Sequence, residues 1–285
     1  MSSKLTKQHI SRIYLPLAPF LGAILAIVAT QGFGMKHIDA KIYLPVWIIQ
    51  SCLMAIAAWI LGAHNIRSND AEKKHLAAIA MFMIVPWIFI SIFAGFGPPP
   101  DTAAGWAATA AIQQIRYAIL ILAGVLITFG FALLREKLKN TGENFYSLLG
   151  FTAIMIAIPL FIIDMTYWGS NLVESYKIFA VSPSVKRPDW FLAVRPQYGI
   201  ISLVEVALIY LATAAFAVSL KITGWLRPNI CHIYIMLSIV GFVLDILQSS
   251  CPEPFATAGF VVSIPAVPFI MPYLMGINLL RRTEN

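Results

Sequence analysis

The chain has 285 residues, 59% of them hydrophobic and 12% charged, with a mean hydropathy of +0.80 and a formal net charge of +7. Soluble chains are usually about 45–50% apolar and about 25% charged, so this composition excludes a soluble core: the surplus apolar surface needs lipid as its solvent. The 20 Lys and Arg are spread through the segments between apolar runs rather than massed on one face, which argues against a nucleic-acid partner and fits loops that orient helices in a bilayer.

A membrane-spanning helix takes about 20 apolar residues. Eight such runs follow one another, at 13–31, 43–63, 76–96, 117–135, 146–168, 198–220, 230–250 and 258–280. They are too long and continuous for barrel strands, so the fold class is all-α: one polytopic membrane domain of eight transmembrane helices. The polar stretch Met1–Arg12 leads into a first run that is long for a signal peptide and has no small-residue cleavage site, so it reads as a retained span. The segment 97–116 opens with Pro98-Pro99-Pro100-Asp101, and Asp101 is the expected N-cap of a short surface helix. The segment 169–197 reads as the longest loop, with Pro183, Pro188 and Pro196. Loops of that length are lids or partner surfaces, or else disordered. Pro86 and Pro159 fall mid-span, and the last run carries Pro265, Pro268 and Pro272, which predicts a kinked helix.

Counting basic residues on alternate sides gives 13 on the side of the termini and 7 on the other. Both termini are therefore expected in the cytoplasm, and the protein in the cell membrane. Tyr43, Trp47, Trp106, Tyr117, Tyr167, Trp168, Trp190 and Tyr198 gather near the opposite, outer ends of the runs, where interface anchoring explains them without a ligand.

Pro98–Trp106 reads PPPDTAAGW and Pro252–Phe260 reads PEPFATAGF, each between an outgoing and a returning run. This similarity predicts a 4+4 parallel pseudo-repeat with halves 1–140 and 141–285, an arrangement known in transporters. Chance similarity in an Ala-, Gly- and Pro-rich chain is the competing explanation.

Of the 13 Asp and Glu, three fall inside spans: Asp164, Glu205 and Asp245. At about 1.5 Å per residue they sit at a similar depth from the outer ends of their runs. Cys231, Ser238 and Asp245 recur every seven residues, with Gln248 and Ser249 a turn on; Ser202, Glu205 and Thr213 share a stripe in the preceding span. Polar stripes of this kind face protein or a water-filled cavity rather than lipid. The expected ligand- or ion-binding set is Asp164, Glu205 and Asp245, with Gln248, Tyr167 and Trp168 at the mouth. Arg116 is either a counter-ion to the acids or a snorkelling interface residue. Ordinary packing, with each acid bonded to a neighbouring helix, is the competing explanation.

Three cysteines without a CxxC pair support neither a disulfide framework nor a zinc site, and His64, His75 and His232 have no ligand spacing, so no metal is expected. There is no Walker A, GxGxxG or GxSxG motif. Three functions remain. The leading one is a transporter or channel-like protein moving a small solute or cation, proton-coupled, through an outward-facing acidic pocket. The second is an enzyme acting on lipid or isoprenoid groups at the outer leaflet. The third is a non-catalytic subunit or sensor meeting a partner through 169–197.

Overall fold

The computed structural model describes residues 2–32, 40–182, 187–247 and 252–282, without the side chains of 2–5, 26–32, 40 and 42. Among these residues every regular element is helical. In chain order they are α1 (Ser2–Gly32), α2 (Ala40–Ile66), α3 (Ala71–Ala94), α4 (Ala103–Ala108), α5 (Ala110–Lys139), α6 (Phe145–Thr166), α7 (Leu172–Val181), α8 (Asp189–Ile222), α9 (Pro228–Leu247), α10 (Phe255–Ser263) and α11 (Ile270–Arg282). A π-helical turn, Tyr167–Asn171, fuses α6 to α7, and a 3₁₀ turn, Val267–Phe269, precedes α11.

Six helical stretches are long and apolar enough to cross a membrane: Tyr43–Ile66, Ala71–Ala94, Ala110–Lys139, Phe145–Val181, Asp189–Ile222 and Pro228–Leu247. Counting α10 with the helix that follows as one broken span makes seven. Helix occupies most of the described part of each of the eight expected runs, but α1 is not among the stretches that qualify. The exterior is apolar as lipid requires, with Phe20, Ile49, Phe129, Ile156 and Met236 all exposed. The protein is a multi-pass helical membrane bundle.

Around the bundle, α1 packs on α2, α2 on α3, α3 on α5, α5 on α6, α6 on α8 and α8 on α9. The last helix, α11, returns to α3. That approach is close because Gly276 presents no side chain: a Cβ there would lie 2.9 Å from the Ala80 carbonyl oxygen and 2.8 Å from Met83 Cβ. Phe131 of α5 meets Phe216 of α8 with ring centroids 4.8 Å apart, joining the two sides of the core.

Two expectations about the connections are corrected. The segment 169–197 is not an open loop: its described residues are helical up to Val181 and again from Asp189. Aromatic burial explains this, because Tyr176 and Phe179 pack on Phe191, and α7 packs on α4. The short helix α4 does form, but its N-cap is Thr102, whose hydroxyl accepts from the Gly105 amide at 3.1 Å, and not Asp101. The proline-rich final run breaks by 70° between α10 and the helix after it, sharper than a kink. Pro265 and Pro268 both fall at the break, where each removes a backbone donor. Pro86 and Pro159 are accommodated inside continuous helices.

The turn between α5 and α6 is locked by Glu143. Its carboxylate accepts from the Tyr146 and Ser147 amides at 2.8 and 3.2 Å, capping α6, and from the Ser219 hydroxyl near the end of α8. Burial pushes this carboxyl up, but the Ser219 hydroxyl and the two amides outweigh it and hold it below the usual carboxylate range. A lowered folded-state value means the stabilisation is complete above the ordinary carboxylate range, about 4.3, and is lost as pH falls through the folded value. Glu143→Gln is accordingly expected to cost about 1 kcal/mol at pH 7, read as a lower thermal midpoint in detergent, with the gap to the unmodified protein closing as the solution is acidified below pH about 4.

Candidate functional site

The heptad stripe on α9 is an interior face: Cys231, Ser238 and Asp245 are all fully buried. So are Glu205 and Thr213 on α8, and Asp164 on α6 is 1% exposed. Three acids on three different helices thus lie inside an apolar bundle, where an uncompensated charge is costly.

The three are mutually placed. Glu205 interacts electrostatically with both Asp164 and Asp245, so the three acids share one region of the interior. Their hydrogen bonding is incomplete. Asp164 takes a bond from the Trp168 indole, one turn on. The Ser263 hydroxyl donates to Asp245 Oδ1 at 2.6 Å and also lies 2.7 Å from the Gly259 carbonyl oxygen, so its single proton serves two acceptors. Among the described residues, Asp164 Oδ1, Asp245 Oδ2 and both oxygens of Glu205 have no partner. No three His, Cys, Asp or Glu among the described residues form a group able to hold a metal ion.

Tyr210 supports the Asp245 end. Its hydroxyl donates to the Val262 carbonyl at 2.9 Å, next to Ser263, and it interacts electrostatically with Asp245. Its ring lies flat on α9 where Gly241 leaves room; a Cβ at 241 would come within 2.5 Å of it.

On the Asp164 side the backbone changes. The π turn Tyr167–Asn171 inserts its extra residue directly after the acid's helical turn, and such turns are frequent at functional sites. Gly169 within it abuts Tyr117, where a Cβ would sit 2.8 Å from Tyr117 Cβ. The turn sends Trp168 into a column of near-parallel rings: Tyr117 to Trp168 at 6.1 Å, Trp168 to Trp106 at 6.4 Å, Trp106 to Tyr176 at 5.3 Å. Tyr167 stacks on Tyr198 at 3.8 Å. A cavity of about 210 Å³ opens among Trp106, Tyr167, Trp168, Tyr176, Phe191 and Arg195. Arg187 lies over the rings of Tyr176, Phe179 and Phe191 at 5.5, 5.4 and 5.7 Å. The larger cavities, of about 620 and 540 Å³, open at the other end of the bundle, away from the acids.

Of the residues expected at the site, Glu205 interacts with both Asp164 and Asp245, and Tyr167 and Trp168 line the cavity, with Trp168 bonded to Asp164. Gln248 falls outside the described residues. Arg116 follows neither expectation. At 5% exposure it does not reach out to headgroups, and it forms no ion pair with an acid among the described residues. It stacks instead on Phe93, 4.4 Å from the ring centre, and on Tyr117 at 5.5 Å. Tyr117 in turn senses both Arg116 and Asp164, so the cation is linked to the acids through an aromatic ring.

Several contributors were not singled out. Ser263 and Tyr210 gave no signal beyond a serine and a tyrosine in apolar runs. Trp106 and Tyr117, expected at the membrane interface, are both buried. Tyr176 and Phe179 were hidden in a supposed loop, and their three-residue spacing was the helical signal available there. Chemically, the arrangement offers buried carboxylates and, on the other side of Trp168 from Asp164's helical turn, a cavity of aromatic faces with Arg187 and Arg195 in its wall. No family model matches this chain, and comparison with curated proteins and with solved structures returns no match.

Proposed function

We propose that the chain is a proton-coupled transporter of a small solute, in which Glu205 passes a proton between Asp164 and Asp245 while the solute enters through the aromatic chamber. The observation that carries this reading is the set of three buried carboxylates on three helices, four of whose oxygens lack a partner among the described residues. Buried acids placed to interact without a basic partner are the usual components of intramembrane proton relays. The chamber supports a solute with a flat or apolar body, which ring faces accommodate. The 70° break supports a moving element, since Ser263 bonds Asp245 from the short arm of that broken helix.

In this reading the chain crosses the cell membrane eight times, with α1 as the first crossing, the broken pair as the last, and both termini in the cytoplasm. The halves 1–140 and 141–285 are two copies of a four-crossing unit. Supporting this, the two similar segments, around Thr102 and Pro254, both open short helices set before a longer one.

The test uses the full chain in proteoliposomes loaded with a pH-sensitive dye. A solute panel is added under an imposed proton gradient. At least one solute should drive proton entry, and Asp245→Asn should abolish that entry. Uptake that ignores the proton gradient, or an unchanged Asp245→Asn response, overturns the proposal.

A further inference from the structure

The end of the bundle that holds Ser2 and Arg282 carries a second site, independent of the acids. His9 and Arg12 of α1, Arg227 just before α9, and Arg281 and Arg282 of α11 surround a cavity of about 540 Å³ with Trp225 in its wall. None of the described lining residues is acidic. Three segments remote in sequence therefore converge to place like charges together.

This arrangement is built rather than incidental. Gly224 adopts φ +65°, turning the chain after α8 so that the Trp225 amide bonds back to the Leu220 carbonyl at 3.0 Å. Arg282 then donates to the Gly224 carbonyl at 3.0 Å and lies over the Trp225 ring at 5.3 Å. Arg281 donates to the Arg12 carbonyl, tying the last helix to the first. The two α11 arginines are thus positioned by the α8–α9 turn and by α1, while Arg227 stays exposed at the rim. Immediately beside the cavity the helices turn apolar and exposed, with Ile10 and Ile13 on α1 and Ile233, Met236 and Leu237 on α9.

We infer that this cavity binds the phosphate headgroup of an anionic phospholipid, whose acyl chains lie along the exposed faces of α1 and α9. Converging guanidinium groups recognise phosphate oxygens, and Arg does so in a fork that matches them. Basic pockets between membrane helices hold anionic headgroups by the same chemistry. The adjoining apolar faces select a lipid over a free phosphate, because only the lipid occupies both surfaces.

The full-length protein, delipidated in a neutral detergent, is titrated with dioctanoyl phosphatidylglycerol, dioctanoyl phosphatidylcholine or inorganic phosphate, and bound species are counted by native mass spectrometry. Phosphatidylglycerol should bind with phosphatidylcholine at least about tenfold weaker, and inorganic phosphate should give no adduct. Arg227→Gln should weaken phosphatidylglycerol about fivefold, the value of one cation at such a surface, and Arg227→Glu should abolish its preference over phosphatidylcholine. The Arg227 side chain is exposed and makes no hydrogen bond or ion pair among the described residues, and its carbonyl bonds to the Ile230 and Cys231 amides do not depend on it, so both variants should keep the thermal midpoint of the parent chain. Equal binding of the two lipids, an unchanged Arg227→Glu preference, or phosphate binding as tight as the lipid overturns the assignment.

Discussion

Replacing Glu205 with glutamine is expected to abolish proton-driven flux without lowering the thermal midpoint. Glu205 is fully buried, both its oxygens lack a partner among the described residues, and it interacts with two further acids. An amide of nearly the same shape carries no charge into the bundle and ends the repulsion from Asp164 and Asp245. The fold therefore gains or stays level, by about 0–3 kcal/mol, whereas removing one member of a well-paired buried couple costs about 3–5 kcal/mol. Function moves the opposite way, because an amide neither releases nor accepts the proton. Two measurements check this: the thermal midpoint in detergent, and the infrared carboxyl band followed against pH. Loss of one titrating band with an intact midpoint is the expected pair of results. A steep fall in the midpoint would mean that Glu205 is a packing residue held by further bonds, and the relay would lose that member.

The second large effect concerns Gly241. A Cβ there would lie 2.5–2.9 Å from three atoms of the Tyr210 ring, closer than real Cβ contacts come. Tyr210 is 2% exposed and anchored through its hydroxyl to Val262, so the ring has little room to yield. Gly241→Leu is expected to destabilise by about 3 kcal/mol, the upper part of the overpacking range, and to move Asp245, one turn along the same helix. Gly199 provides the control: it is helical too, but a Cβ there meets nothing within 4 Å. Gly199→Leu should leave the midpoint within about 0.5 kcal/mol of the parent. Equal losses at both positions would show that the close contact with Tyr210 is not what makes residue 241 sensitive.

How much of the site was legible differs from residue to residue. Asp164, Glu205 and Asp245 stood out because an acid inside an apolar run is rare and costly, a local property of the chain. The burial of Cys231, Ser238 and Asp245 followed from a seven-residue spacing, which is two helical turns. Arg116 was misjudged because the sequence offered water or a carboxylate as its surroundings, and the fold supplied Phe93 and Tyr117 instead. The segment 169–197 was misjudged because its prolines and polar residues outweighed Tyr176, Phe179 and Phe191, which become helix-stabilising only when they meet.

Lipid as the solvent, the all-helical class and the candidate acids are all readable along the chain. Hydropathy and helical period act over one or two turns and need no knowledge of neighbours. The interaction of Glu205 with both aspartates, the bonds from Ser263 and Trp168 that each hold one of them, and the aromatic column between a cavity and Asp164 come from tertiary packing. The same packing gathers Arg12, Arg227, Arg281 and Arg282 around one opening. These contacts join helices far apart in the chain, and the packing that sets them, such as Gly241 against Tyr210 and Gly276 against α3, depends on shape across helix faces.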